Sequence, residues 1–126
     1  MLTQADKKYY QPTPYTNSAV LLEIKEFIGE DGDETVRELV ETYLTKTPTM
    51  ITNIADDLRI CDHKKLKADV HSLKGSSASV GAISIFSLCK KMEEAMKEDD
   101  KPKVDLLFAQ MVETFKFVKE ELQDWI

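Results

Sequence analysis

Near the end of the chain Val104, Leu107, Phe108, Met111, Phe115, Val118 and Leu122 recur in a near-heptad rhythm. Such a set shares one face only on a helical backbone, where successive residues turn by about 100°. The same rhythm fills most of the sequence, and no strand-like alternation interrupts it. The fold class expected is therefore all-α: an antiparallel four-helix bundle with short loops and additional short N-terminal helical segments.

Punctuation divides the pattern. Asn17 or Ser18 can cap a short first helix that puts Leu21, Ile24 and Ile28 on one face, and Gly29 to Gly32 break it. Asp33 reads as the cap of a second helix bearing Val36, Leu39, Val40, Tyr43 and Leu44. Thr47-Pro48 reads as a fresh start, cap then proline. Ile51, Ile54, Ala55 and Leu58 continue the same stripe, so the two segments are expected to stack as one interrupted helix. After Cys61-Asp62-His63, with Asp62 as cap, Leu66, Val70, Leu73, Ser77 and Val80 recur until Gly81 stops the run. A further helix carries Ile85, Cys89, Met92 and Met96. Residues 1–17 are polar and hold two prolines, so a flexible tail is expected there, with Tyr9, Tyr10 and Tyr15 available to pack on the domain. The bundle domain is assigned to residues 18–126, and Trp125 and Ile126 are expected to dock on it.

Charge and composition narrow the function. A net charge of -6 argues against a nucleic-acid backbone binder, although Lys64, Lys65, Lys67 and Lys74 leave room for a local basic patch. No apolar run reaches membrane-span length, and the N-terminus does not read as a signal peptide. Two cysteines make no disulfide framework, so reduced thiols in the cytoplasm are expected. Cys61-x-His63 is half a zinc pattern without its second pair, so no metal and no cofactor are assigned to this chain. Asp56-Asp57 and Glu93-Glu94 read as solvated faces.

One stretch resists a purely structural reading: VHSLKGSSASVGA, residues 70–82. Its apolar stripe occupies one side of the helix. Lys67, His71, Lys74, Gly75 and Ala78 centre roughly 130° away, which places His71 on the surface. Lys74 follows one turn later, and Gly75 removes the side chain that would otherwise shield the imidazole. A mid-helix glycine costs about 1 kcal/mol against alanine, so its presence beside an exposed histidine suggests close approach by another body. This arrangement suits phosphoryl transfer. Neutral imidazole is a ring-nitrogen nucleophile near neutral pH. A cation one turn away can balance the charge on the transferring group.

By itself an exposed histidine beside a lysine is most often incidental. HSLKGSS, followed by Val80-Gly81-Ala82, nevertheless resembles the signature of the histidine-containing phosphotransfer (HPt) domain family. Phe27-Ile28-Gly29 with Asp31, Asp62 nine residues before the histidine, Leu88-Cys89 and Met92-Glu93 extend the likeness over about residues 20–100. The resemblance implies that His71 carries a phosphoryl group between aspartyl-phosphate receiver domains, that Lys74 stabilises it, and that Gly75 admits the partner. Ser76 or Ser77 would fix the local structure. Lys67 and Ala78, with Ile24, Phe27 and Ile28 from the short first helix, are the candidate docking surface. The partners implied are response-regulator receivers and a sensor or hybrid histidine kinase, with magnesium on the receiver and this chain a monomer.

Three other readings compete. A sensor-kinase dimerisation domain typically has an acidic residue after its histidine and Thr or Asn four further on; Ser72 and Gly75 stand there instead. A non-catalytic helical adaptor would leave His71 unlabelled by a phosphorylated receiver. The phosphoryl-bearing first domain of a chemotaxis kinase is compatible with the motif.

Overall fold

The computed structural model describes residues 12–126. Among the described residues five helices follow one another: α1 (Ala19–Ile28), α2 (Gly32–Ile60), α3 (His63–Val80), α4 (Ile83–Lys97) and α5 (Lys101–Leu122), then a 3-10 turn at Gln123–Trp125. No strand occurs among the described residues. Helices α2 to α5 form an antiparallel bundle in which each packs on the next and α2 closes against α5, while α1 lies on α2. Most of the expected periodic residues form the core: Val36, Val40, Tyr43, Ile54, Leu66, Val70, Leu73, Ile85, Cys89, Met92, Met111 and Val118 are all buried, while Leu39, Leu44, Ile51, Leu58, Met96 and Phe108 are partly buried against them. No helix among the described residues is long and apolar enough to cross a membrane.

Two boundaries differ from the sequence reading. Helix α2 begins at Gly32, with Asp33 in its first turn pairing with Lys25 at 3.1 Å instead of capping. Gly32 is required there because a Cβ would collide with the Lys25 carbonyl at the end of α1. The break expected at Thr47-Pro48 is absent, and α2 runs through Pro48. An interior proline costs about 3 kcal/mol. Each large apolar side chain buried on either side contributes roughly 1.5–3 kcal/mol, and the stripe from Val36 to Ile54 keeps one register across the proline. Continuity wins. Thr47, fully buried, donates its hydroxyl to the Tyr43 carbonyl at 2.6 Å instead of capping a new helix.

Both turns around α3 follow their sequence signals. Asp62 accepts from the Lys65 amide at 3.1 Å. Gly81 ends the helix in the left-handed region at φ 76°, where a Cβ would also strike the Asn17 carbonyl.

Of the segment expected as a tail, residues 13–17 are held on the domain. The hydroxyls of Thr13 and Thr16 both donate to Glu121, the latter at 2.6 Å. Tyr15 stacks on Phe117 with ring centroids 4.8 Å apart, and its carbonyl accepts from Ser84. The Asn17 amide donates to Gly81 at 2.8 Å. Tyr9 and Tyr10 lie outside the described residues. At the other end Trp125 packs on the core, while Ile126 stays half exposed.

Candidate functional site

Helix α3 sets the site because its two faces are chemically distinct. Leu66, Val70, Leu73, Ser77 and Val80 are buried, which turns Lys67, His71, Gly75 and Ala78 to solvent. The His71 side chain is 71% exposed. Lys74, on the same strip, is drawn further in, at 25%. A Cβ built on Gly75 meets no atom within 4 Å, so nothing within the bundle calls for glycine at this position.

The serines after Gly75 divide their work. Ser77 is fully buried and shares a hydrogen bond of 2.8 Å with the Tyr43 hydroxyl of α2. Ser76 donates to the Leu73 carbonyl within its own helix. Burial pushes the Tyr43 phenol up to about 12, with the Ser77 bond opposing the shift. Burial likewise pushes the Cys89 thiol up to about 12 and leaves it unreactive.

The sequence reading missed one member of the site. Glu93 of α4, taken for a solvated charge, has a side chain only 18% exposed and turns to α3. Its Oε1 accepts from the Lys74 ammonium at 2.6 Å, and its Oε2 lies 3.3 Å from His71 Nδ1. Burial pulls the Glu93 carboxyl upward, but the bonds from Lys74 and His71 outweigh it and hold the carboxyl below its ordinary range. A carboxylate can only accept, so its bond to a neutral His71 requires the hydrogen on Nδ1 and leaves the lone pair on Nε2. A faint signal existed in the sequence: Glu93 sits about 40° from Cys89 on the helical wheel, at the edge of the apolar stripe. Asp57 departs from its expected solvated face in the same way. It is buried and pinned by Lys65 at 3.1 Å.

A single groove between α3 and α4 is lined by Lys67, His71, Lys74 and Glu93, with Lys90 and Lys97 beyond them. None of the candidate docking residues of α1 lines it. Ile24 is half-buried against the core, whereas Phe27 at 89% and Ile28 at 43% project from the end of α1. Among the described residues no cluster of three metal-ligating side chains occurs.

An exposed, oriented histidine with a lysine and open space beside it, on a four-helix bundle, fits the comparison with known proteins. The family model described as the Hpt domain matches residues 38–125. The chain belongs to the Hpt domain family. This Hpt domain is 29% identical over 105 residues to histidine-containing phosphotransfer protein 2 of Arabidopsis thaliana, a match spanning 81% of this chain and 67% of that protein. Protein 5 of the same plant series is 27% identical over the same shares. The crystal structure of histidine-containing phosphotransfer protein B (HptB) from Pseudomonas aeruginosa PAO1 has the same fold. Its TM-score is 0.78 at 22% identity, covering 90% of this Hpt domain and 95% of that chain.

Proposed function

We propose that His71 is the residue through which this Hpt domain relays phosphoryl groups between receiver domains. Histidine phosphotransfer in two-component phosphorelays is the role that goes with the family. The observation that carries the residue assignment is the site's asymmetry. His71 is exposed, its Nδ1 is engaged by Glu93, and Gly75 puts no side chain beside it one turn further along the same strip.

In the reading that follows, the Nε2 lone pair attacks the phosphorus of a receiver's aspartyl phosphate and the P–O bond breaks towards the aspartate. Lys74 balances charge on the equatorial oxygens. Gly75 lets the partner's active site come within in-line reach. Lys67 and Ala78, on the same exposed face, border the partner. Phe27 and Ile28 supply an apolar rim from α1, and Ile24 backs it from below. The magnesium that phosphoryl transfer needs is assigned to the receiver's acidic pocket. A sensor or hybrid histidine kinase feeds the relay, and the chain works in the cytoplasm as a monomer.

The test is incubation with a phosphorylated receiver. Acid-labile, base-stable label should appear on the wild type and be absent from His71→Gln. His63→Gln serves as a control that should label normally. Label persisting on His71→Gln would show that another residue is the carrier.

A further inference from the structure

Lys74 is not free to meet a phosphoryl group. Its ammonium already lies 2.6 Å from Glu93 Oε1, in a pair both of whose members are mostly covered. The same carboxylate reaches His71 Nδ1 at 3.3 Å through its other oxygen. One side chain of α4 thus holds both the nucleophile and the cation of α3. Charge-assisted bonds of this length are strong, and partial burial limits their screening by water.

Resting on the phosphotransfer reading, we infer that Glu93 is a positioning residue with two opposed duties. It keeps the hydrogen on Nδ1 so that Nε2 is the nucleophile, and it competes with the phosphoryl group for Lys74. When Nε2 forms the N–P bond, the P–O bond to the receiver's aspartate breaks and the carboxylate leaves with the electron pair. Nδ1 keeps its hydrogen throughout. The phosphoryl group on Nε2 then recruits Lys74 only by drawing it from Glu93. Phosphohistidine is therefore held less tightly than the lysine alone would hold it. On return the aspartate oxygen attacks phosphorus, the N–P electron pair goes back to Nε2, and Lys74 falls back to Glu93. The carboxylate thereby tilts the exchange towards donation.

Two substitutions separate the duties. Glu93→Gln keeps an acceptor for Nδ1–H but removes the charge that retains Lys74. It should shift the equilibrium with the receiver towards phosphohistidine by about tenfold. That is the scale set by a unit charge a few ångströms away at a partly covered site. Glu93→Ala loses both duties, and its acceptance rate should fall. A double-mutant cycle with Lys74→Ala completes the test. In the Lys74→Ala background Glu93→Gln should no longer move the equilibrium. The inference is overturned if Glu93→Gln leaves the equilibrium constant unchanged, or if its effect survives intact without Lys74. A wild type that takes no label would instead overturn the phosphotransfer reading, and this inference with it.

Discussion

Tyr43 and Ser77 meet hydroxyl to hydroxyl at 2.8 Å, joining α2 to α3 inside the core. The bond lies on the buried face of α3, about 120° around the helix from His71. It fixes how far α3 can roll about its axis, and so which way the exposed strip points. A buried hydroxyl left without its partner costs about 1–3 kcal/mol. Tyr43→Phe should therefore lower unfolding free energy at neutral pH by about 1–2 kcal/mol, measured by urea denaturation.

The same pair gives an alkaline signature. The Tyr43 phenol is raised from 10.0 to about 12 by burial, against the pull of the Ser77 bond. Below pH 10 it is protonated folded and unfolded alike, and its contribution is complete. Between pH 10 and 12 the unfolded chain releases this proton and the folded chain retains it, so stability is lost as pH rises through that window. Tyr43→Phe should show a shallower decline there than wild type. Parallel declines in urea midpoints at pH 9, 10 and 11 would contradict the assignment.

For Gly75→Gln, stability should rise by up to about 1 kcal/mol, because a helix-weakening glycine is replaced where a Cβ meets nothing. Transfer from a receiver should fall sharply, since the new side chain stands beside the imidazole. A small donor such as phosphoramidate should be affected less. Intact transfer from the receiver would remove the partner-access role.

Lys74→Ala should slow transfer and shorten the life of phosphohistidine while the helical signal stays unchanged. Its removal deprives Glu93 of the bond that does most to hold the carboxyl down. Wild-type rate and lifetime together would reduce the lysine to a surface charge.

The exposed strip of α3 was legible in the sequence because one helix carries it whole, and a wheel sorts Lys67, His71, Lys74 and Gly75 from Leu66, Val70 and Leu73 without tertiary knowledge. Glu93 was not. Its role depends on how α4 is set against α3, and a carboxylate at the edge of an apolar stripe looks solvated until the neighbouring helix covers it. Asp57 was hidden in the same way by Lys65. Pro48 misled for another reason. Proline's local preference is a few kcal/mol, and the buried residues on both sides of it outweigh that once the bundle forms.

The strap at residues 13–17 has a kinetic corollary. Most of this bundle is built from contacts between helices adjacent in sequence, which form early because little chain must be closed to make them. The bond from Thr16 to Glu121 joins residues 105 apart. Its loop-closure entropy is met only after the intervening helices have shortened the path between its ends. The strap should thus lock last on folding and loosen first on local opening. Amides of Tyr15 and Asn17 should then exchange with solvent water well before those of Val70 and Met111.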